Sequence, residues 1–313
     1  MEYEHIPVLL NESISYLDIN KNGIYVDCTV GGAGHSTQIA GKLTEKGTLI
    51  CLDKDIEAIK ASEERLKDYK CKKYFFNIDF KDFKQALQEV FKNEPVCVNG
   101  FLIDLGVSSY QIDNAERGFS YNTVAPLDMR MNKEQKLTAE YVVNKYDYDD
   151  LVKIFYEYGE ERFSKFIAKN IVKRREKAPI KTTAELADII RASVPAKALP
   201  KSNSVAKIFQ AVRIEVNGEL KGLDAAVKEM IDVLKPKGRM CIISFHSLED
   251  RIIKNTFREL ATGCICPKDF PICTCGHKAE IKLITKKPVI AGGQEIKANK
   301  RSASAKLRVA EKS

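Results

Sequence analysis

No stretch of this sequence approaches the ~20 consecutive apolar residues that a membrane-spanning helix requires, so we expect no membrane span. The acidic start, Met1-Glu2-Tyr3-Glu4, lacks the pattern of a signal peptide, and we therefore expect a cytoplasmic protein. No internal repeat or long low-complexity segment is visible. A hydrophobic content of 44% and a charged content of 30% exclude a disordered or fibrous chain. At 313 residues, the chain has room for roughly two domains.

Cysteine is present in an odd number, nine, which does not suggest a disulfide framework. Five cysteines lie mostly in strand-like apolar runs and are typical of reduced core thiols: Cys28, Cys51, Cys71, Cys97 and Cys241. The others form two pairs, Cys264-x-Cys266 and Cys273-x-Cys275. Four thiolates can hold zinc, but one residue separates each pair where zinc sites usually have two or more. We predict no metal site here, with structural zinc as the alternative to surface thiols.

The net charge of +8 permits a polyanionic partner without requiring one. Residues 264–313 contain eleven lysines and arginines against four acidic residues, so much of the excess lies in this segment. Such a basic segment is either a solvated surface or a nucleic-acid contact.

Strand and helix patterns alternate through the first third of the chain. We predict strands over 24–28, 48–52, 73–77 and 100–104, separated by helices over 36–43, 55–67 and 81–91. This alternation predicts an α/β fold, with a parallel sheet and crossover helices on both of its faces. After Asp104 the alternation stops. It resumes with a helix over 218–234, a strand over 239–245, and two further strands near Ile281–Thr285 and Leu307–Val309.

The region between these parts has helical patterns with their own start signals, such as the capping box Thr182-x-x-Glu185. We therefore predict one domain made of residues 1–111 and 216–313, interrupted by a helical insertion domain over 112–215. A helix from Glu160 to Glu176 has a predicted apolar stripe of Phe163, Phe166, Ile167 and Ile171. Its opposite face is basic and is either solvated or in contact with phosphates: Arg162, Lys165, Lys169, Lys173, Arg174 and Arg175.

The first predicted strand runs into a turn with three glycines within four residues, Gly31, Gly32 and Gly34, before a helix begins. Such a turn lets the backbone approach a ligand, and the free N–H groups of the helix start suit a nucleotide-like cofactor. Thr37 occupies the place of the third glycine of the dinucleotide motif, which weakens that assignment. Asp53 ends the second strand, 19 residues after Gly34. An acid there typically binds ribose hydroxyls, and it can also cap the next helix.

These residues resemble a class I S-adenosylmethionine-dependent methyltransferase, and more closely the bacterial 16S ribosomal RNA cytosine-N4 methyltransferases, the RsmH or MraW family. The resemblance rests on blocks that span the chain in the family's order: 5–12 (HIPVLLNE), 104–109 (DLGVSS), 117–120 (RGFS), 127–131 (LDMRM), 244–250 (SFHSLED) and 304–308 (SAKLR).

The resemblance implies S-adenosylmethionine as cofactor and a Rossmann-like class I methyltransferase sheet. It implies that Ala33, Gly34 and His35 contact the methionine part of the cofactor, Asp53 the ribose and Phe80 the adenine, with Asp104 and Gln111 completing the site. Phe80 is otherwise a core aromatic. Ala33 stands where the family commonly has glycine, and we expect cofactor binding to survive if its backbone is not left-handed.

The catalytic candidate is Asp104, which we expect beside the transferred methyl group. It would accept a hydrogen bond from the cofactor's amino group or from the cytosine amine; the alternative is a structural strand-end carboxylate. Phe119 or Tyr121 either stacks on an extruded cytosine or packs in the core. His246 is a second catalytic candidate. Because Ser247-x-x-Asp250 resembles a capping box, the alternative is that this segment chiefly begins a helix.

The implied reaction moves a methyl group to the N4 amine of a cytosine in the decoding region of 16S ribosomal RNA. The implied partner is that RNA within the small ribosomal subunit, and the resemblance leaves a homodimer open. Two alternatives stay open: a methyltransferase for another substrate, and a non-catalytic ribosome assembly factor that retains the cofactor fold.

Overall fold

The computed structural model describes residues 7–92, 94–198, 203–264, 266 and 274–313. His5, in the first of the family blocks, and Cys273, in the second cysteine pair, lie outside the described residues.

A single mixed sheet forms the centre of the fold. Its strand order is β3-β2-β1-β4-β5-β8-β6, with β7 paired to β8. The strands from β3 to β5 are parallel, and β8 runs antiparallel to β5, β6 and β7. This is the doubly wound α/β architecture that the sequence predicts. The strands are β1 Ile24–Asp27, β2 Thr48–Leu52, β3 Lys72–Phe76, β4 Val98–Asp104, β5 Leu234–Ser244, β6 Ile281–Leu283, β7 Val289–Ile290 and β8 Lys306–Lys312.

Both faces of the sheet are covered, which is why its central strands read as continuous apolar runs. Strand β2 shows this directly. Leu49 and Cys51 belong to one buried apolar cluster, and Ile50 and Leu52 belong to another. Because successive side chains of a strand point to opposite faces, the two clusters lie on opposite sides of the sheet.

Helices connect the strands and form a second region between β4 and β5. They are α1 Leu10–Leu17, α2 Gly34–Lys42, α3 Ile56–Leu66, α4 Phe83–Val90, α5 Ser109–Asp113, α6 Ala139–Lys145, α7 Tyr148–Glu157, α8 Ser164–Arg175, α9 Thr183–Ser193, α10 Ser204–Asn217, α11 Leu223–Asp232, α12 Ser247–Leu260 and α13 Gly293–Ala298. Among the residues described, no helix combines the length and apolar character needed to cross a membrane.

The chain divides into two compact units. One holds the described residues up to Gly106 and from Gly222 onward, and the other is Val107–Lys221. The second unit has its own apolar cluster, to which helices α6 to α10 contribute. Helix α9 begins at the predicted capping box: the Thr182 hydroxyl accepts from the Glu185 N–H, and the Glu185 carboxylate accepts from the Thr182 N–H.

The helix predicted from Glu160 begins only at Ser164, because Glu160 has a left-handed backbone with φ 47°. The predicted apolar stripe is also partly wrong. Ile167 and Ile171 are buried, whereas the Phe166 side chain is 63% exposed. Phe166 therefore lies on the outer surface of its unit instead of in its core.

The helix predicted over 218–234 is shorter than expected. Gly218 ends α10 and Gly222 precedes α11, and both have left-handed backbones that break the helical path. Strand β5 starts earlier than predicted, at Leu234, and its register with β4 shifts before Arg239. Strand β7, only two residues long, was not predicted from the pattern. Of the five cysteines expected in the core, Cys97 is exposed, while the other four are buried.

Two phenylalanines of the second unit provide a matched test of this packing. Phe155 on α7 is fully buried, and Phe166 on the next helix is mostly exposed. We expect Phe155→Ala to lower the free energy of unfolding by about 3–5 kcal/mol, because it removes a ring from a filled core. Phe166→Ala should change it by less than about 0.5 kcal/mol. Urea denaturation followed by circular dichroism measures both; equal losses would contradict the assigned burial of the two rings.

Candidate functional site

Three carboxylates lie at one edge of the sheet, where the parallel strands end. Asp27 and Asp104 are the last residues of β1 and β4, and Asp53 directly follows β2. These strands are neighbours in the order β2-β1-β4. From β1 the chain proceeds to β2 and β3 on one side, and β4 and β5 lie on the other, so β1 and β4 flank the topological switch point. Ligands of doubly wound sheets bind beyond the strand ends at this point.

Asp27 anchors the turn that follows β1. Its carboxylate is buried and accepts hydrogen bonds from the Ser36 hydroxyl at 2.6 Å and from the Thr29 N–H at 3.3 Å. Ser36 belongs to the first turn of α2, so Asp27 ties the strand end to the helix start. Burial raises the pKa of Asp27 to about 6, although the bonds from Ser36 and Thr29 act in the opposite direction.

The glycine turn is held from outside by helix α3. The Ser62 hydroxyl donates to the Gly31 carbonyl at 3.2 Å, and Arg65 donates to the Gly32 carbonyl at 2.6 Å. Because these carbonyls are directed toward α3, the shape of the turn is fixed before any ligand binds.

Ala33 has a left-handed backbone, with φ 59° and ψ 22°. From the sequence we expected cofactor binding to tolerate alanine in place of glycine if the backbone here was not left-handed. The backbone is left-handed, so this condition is not met. The residue is fully buried, and its N–H donates to the Val30 carbonyl at 2.7 Å. A non-glycine residue adopts this conformation only where its surroundings impose it.

Gly34 begins α2 and has no room for a side chain, since a Cβ atom there would lie 2.1 Å from Cγ of Pro7. The next residue, His35, is buried, and its Nε2 lies 3.1 Å from the Val8 carbonyl. A carbonyl only accepts, so Nε2 carries the proton in this contact. The N-terminal segment thus packs directly on the glycine turn.

Asp53 also stabilises the turn. One of its oxygens accepts from the Gly31 N–H and the other from the Asp55 N–H, both at 2.9 Å. The cap of α3 is Asp55, whose side chain accepts from the Glu57 N–H. Asp53 is therefore not the N-cap of α3, which was the alternative role that the sequence left open. Burial raises its pKa to about 6, against the lowering effect of the two N–H donors.

Asp104 is the least satisfied of the three acids. Its N–H donates to the Thr29 hydroxyl at 2.6 Å, and its Oδ2 lies 3.8 Å from His35 Nδ1. Its Oδ1 is buried and has no hydrogen-bond partner among the described residues. Burial, followed by the negative charges of Asp27 and Glu249, raises the pKa of Asp104 well above its usual range.

His246 begins α12, one residue before the capping box expected at Ser247 and Asp250. Its Nδ1 accepts from the Glu249 N–H at 3.3 Å, while Glu249 accepts from the N–H groups of Phe245 and His246. Asp250 instead binds Arg308 of β8 at 2.6 Å. The expected box is therefore wrong by one residue. Histidine is an unusual helix cap, so the sequence alone favoured Ser247.

The remaining predicted site residues have structural neighbours of their own. Phe80 is 8% exposed and packs in the apolar core beside Phe83. Gln111 belongs to the second unit, where its side-chain oxygen accepts from the Ser108 N–H in a capping box.

The aromatic candidates Phe119 and Tyr121 also lie in the second unit, and both pack against its apolar cluster. Tyr121 makes an edge-to-face contact with Phe209, with ring centroids 5.4 Å apart. The packing alternative for these two rings therefore has direct support.

The site favours a cationic ligand. In the described part of the chain, no lysine or arginine pairs with Asp27, Asp53 or Asp104. An approaching positive charge would stabilise their ionised forms, and the unpaired Asp104 Oδ1 would gain a donor. Sequence reasoning assigned no role to Asp27 or Glu249; the sequence signal for Asp27 was its position directly before the glycine turn.

The chain matches the MraW methylase family over residues 2–313. It is 51% identical over 312 residues to the "Ribosomal RNA small subunit methyltransferase H" of Clostridium botulinum (strain Kyoto / Type A2), covering 100% of both chains. It is 54% identical over 313 residues to the protein of that name from Caldicellulosiruptor saccharolyticus, covering 99% of both chains. The protein of that name from Clostridioides difficile is 48% identical over 313 residues, covering 100% of both chains.

The burial of Asp27 predicts a pH-dependent stability. Because its folded-state pKa of about 6 lies above the usual 3.8, the folded state binds the proton more tightly than the unfolded state. Stability should therefore fall as the pH rises from about 4 to about 6 and then level off. Asp27→Asn can keep the bond from Ser36 but has no charge to bury. The free energy of unfolding of Asp27→Asn, compared with that of the wild type, should therefore increase as the pH rises through this window. The increase should reach up to roughly 3 kcal/mol, because each unit of difference between the folded and unfolded pKa values is worth about 1.36 kcal/mol.

Urea denaturation at several pH values measures this difference. Asp68→Asn, at an exposed position, is the control and should follow the wild type. A parallel pH profile for Asp27→Asn and the wild type would refute the assigned burial of the charge.

Proposed function

The chain belongs to the MraW methylase family, and from this membership we propose that it methylates the N4 amine of a cytosine in small-subunit ribosomal RNA. The cofactor of this family is S-adenosylmethionine. The substrate in this proposal comes from the relatives, which are named as ribosomal RNA small subunit methyltransferases and match the chain from end to end.

The observation that supports the cofactor site is Asp104 Oδ1, which is buried and has no hydrogen-bond partner among the described residues. It lies among three carboxylates, and no lysine or arginine in the described ranges pairs with them. S-adenosylmethionine, when bound, supplies an electrophilic methyl group on a positively charged sulfonium, and it also carries an ammonium group. The donor-free Oδ1 and the negative charge of this strand edge fit such a cation.

Each residue implied by the resemblance has a role in this proposal. Ala33, Gly34 and His35 would line the methionine part, and their position at the start of α2, beyond the end of β1, supports this. Asp53 would bind the ribose hydroxyls through the lone pairs that remain after its two backbone bonds. Phe80 would offer only the small exposed part of its ring to the adenine. Gln111 lies in the second unit, and its part in binding the cofactor comes from the family resemblance alone.

Methyl transfer to the cytosine amine depends more on how the amine is positioned than on proton transfer. The lone pair of a cytosine amine is delocalised into the ring, so the amine is a poor nucleophile. An acceptor that binds its N–H bonds favours the pyramidal, nucleophilic form, and Asp104 is our candidate for that acceptor. Holding the amine in line with the methyl group supplies much of the rate. No general base is required, because the proton can leave after the transfer.

An exposed basic surface supports an RNA partner. Three lysines of α8 are exposed, as is the ring of Phe166 on the same helix, and Arg162 is exposed two residues before α8 begins. The three lysines are Lys165, Lys169 and Lys173. Cations bind phosphates, and an exposed aromatic ring can stack on an unpaired base. Arg175, which the sequence placed in the same basic face, instead donates to the Val143 carbonyl at 2.8 Å.

The C-terminal segment adds further exposed cations at Lys286, Lys287, Lys297 and Lys300. Lys306 belongs to the same basic segment, but it lies 3.4 Å from the Asp250 carboxylate and is therefore a weaker candidate for a phosphate contact.

Asp104→Asn tests the catalytic site. The amide keeps the volume of the side chain but loses its charge, so we expect kcat to fall by about 100-fold, as for other preorganised polar groups. The affinity for S-adenosylmethionine, measured by calorimetry, should fall less, by about tenfold. Methylation of isolated small subunits with labelled donor measures the rate, and the exposed Asp68→Asn is the control. An Asp104→Asn enzyme with unchanged rate and unchanged affinity would remove this role.

Mapping of modified nucleotides tests the substrate. In cells without this protein, mass spectrometry of 16S ribosomal RNA should show the loss of one N4-methylation of a cytosine. Wild-type protein should restore it, and Asp104→Asn should not. An unchanged map with active enzyme would indicate another substrate, whereas binding to ribosomal particles without any turnover of the donor would indicate an assembly factor. Either result would overturn the proposed function.

A further inference from the structure

Three cysteines lie together in the loop that joins α12 to β6. The base of this loop is closed by the Glu280 N–H, which donates to the Leu260 carbonyl at 2.9 Å. Cys264 and Cys266 follow the end of α12, and Cys275 lies on the returning part of the loop. They belong to the first unit but are no part of the methyltransferase site proposed above.

The three sulfur atoms are close enough to share one ion. They all lie within 4.8 Å of one another, and the Cys264 and Cys275 sulfurs are 3.9 Å apart. A disulfide requires about 2.05 Å between its sulfurs. In a tetrahedral zinc site with Zn–S bonds of about 2.3 Å, two sulfurs are about 3.8 Å apart. The observed separation of 3.9 Å is therefore close to that of two zinc ligands.

The returning segment also favours thiolate ligands. The Thr274 hydroxyl lies 3.8 Å from the Cys266 sulfur, within hydrogen-bond distance for sulfur. Such an outer-shell partner orients a metal-bound thiolate and spreads its negative charge. Residues on both sides of the loop thus converge on the same point.

The short spacing within the cysteine pair does not keep the three sulfurs apart. Cys264 and Cys266 are separated by one residue, where zinc ligands in a pair are usually separated by two or more. The usual spacing matters because it brings two sulfurs together within one turn. Here the folded loop brings three sulfurs together despite the shorter spacing.

We propose that Cys264, Cys266 and Cys275 bind one zinc ion. Soft thiolate ligands select zinc over hard cations such as magnesium and calcium. A water molecule or a further protein donor would complete the tetrahedron. Because the ligands come from both sides of the loop, the ion would join Cys264 and Cys266 to Cys275, as the Glu280–Leu260 hydrogen bond joins the two sides at the base. This role is structural and independent of the reaction proposed above.

The test uses full-length protein purified with a phosphine reductant and without chelator. Mass spectrometry of the elements should find about one zinc per chain. After exchange with cobalt, the protein should show the absorption bands of cobalt–thiolate ligation. The variant Cys264→Ser/Cys266→Ser/Cys275→Ser should lose at least nine-tenths of the metal and these bands. Cys97→Ser, which removes an exposed cysteine elsewhere, should retain both.

Two results would overturn the zinc site. One is wild-type protein that binds neither zinc nor cobalt under reducing conditions, as purified or after incubation with either ion. The other is full metal content in the triple variant. The wild-type cobalt spectrum remains decisive if the triple variant fails to fold, since a spectrum without thiolate bands excludes these ligands. Neither result depends on methyltransferase activity, so failure here is distinct from failure of the proposed function.

Discussion

Three carboxylates at the ends of β1, β2 and β4 are withdrawn from water without a lysine or arginine partner among the described residues, and this is the constraint on which the rest of the site depends. Removing a carboxylate from water is costly unless hydrogen bonds or opposite charges replace the water. Asp27 and Asp53 solve this with donors from their own turn and its neighbours. Asp104 does not, because its Oδ1 has no partner in the described chain. The fold therefore leaves one carboxylate oxygen, Asp104 Oδ1, without a described donor at the ends of the strands, where a ligand would bind.

The same carboxylates determine the shape of the glycine turn. Asp27 ties the end of β1 to α2 through Ser36, and Asp53 ties Gly31 to the end of β2. Helix α3 holds the turn's carbonyls from the other side. With these points fixed, the chain enters α2 through two left-handed residues, Gly31 and Ala33. The strain at Ala33 is thus imposed by contacts on both sides of the turn.

How far the sequence predicts this structure depends on the kind of signal. The four parallel strands from β1 to β4 are predicted within two residues at either end, because a buried parallel strand is a short apolar run bounded by turn residues. The helix expected over 218–234 was predicted from the spacing of its apolar residues, which does not show that Gly218 and Gly222 are left-handed. The prediction that Phe166 belongs to the buried stripe of its helix failed for another reason. Helical periodicity identifies an apolar face, but it does not show how wide the buried part of that face is.

In the candidate site, the sequence identified the acids at the strand ends, but not that burial raises their pKa values. Position after an apolar run is a local signal, and it was sufficient for Asp53 and Asp104. Burial is not a local signal, since it depends on which strands are neighbours in the sheet. In the function proposed above, these acids would attract the sulfonium of the donor, whereas the thioether left after methyl transfer has lost that positive charge and would be attracted less. The electrostatics that favour binding of the donor would then also favour release of the product.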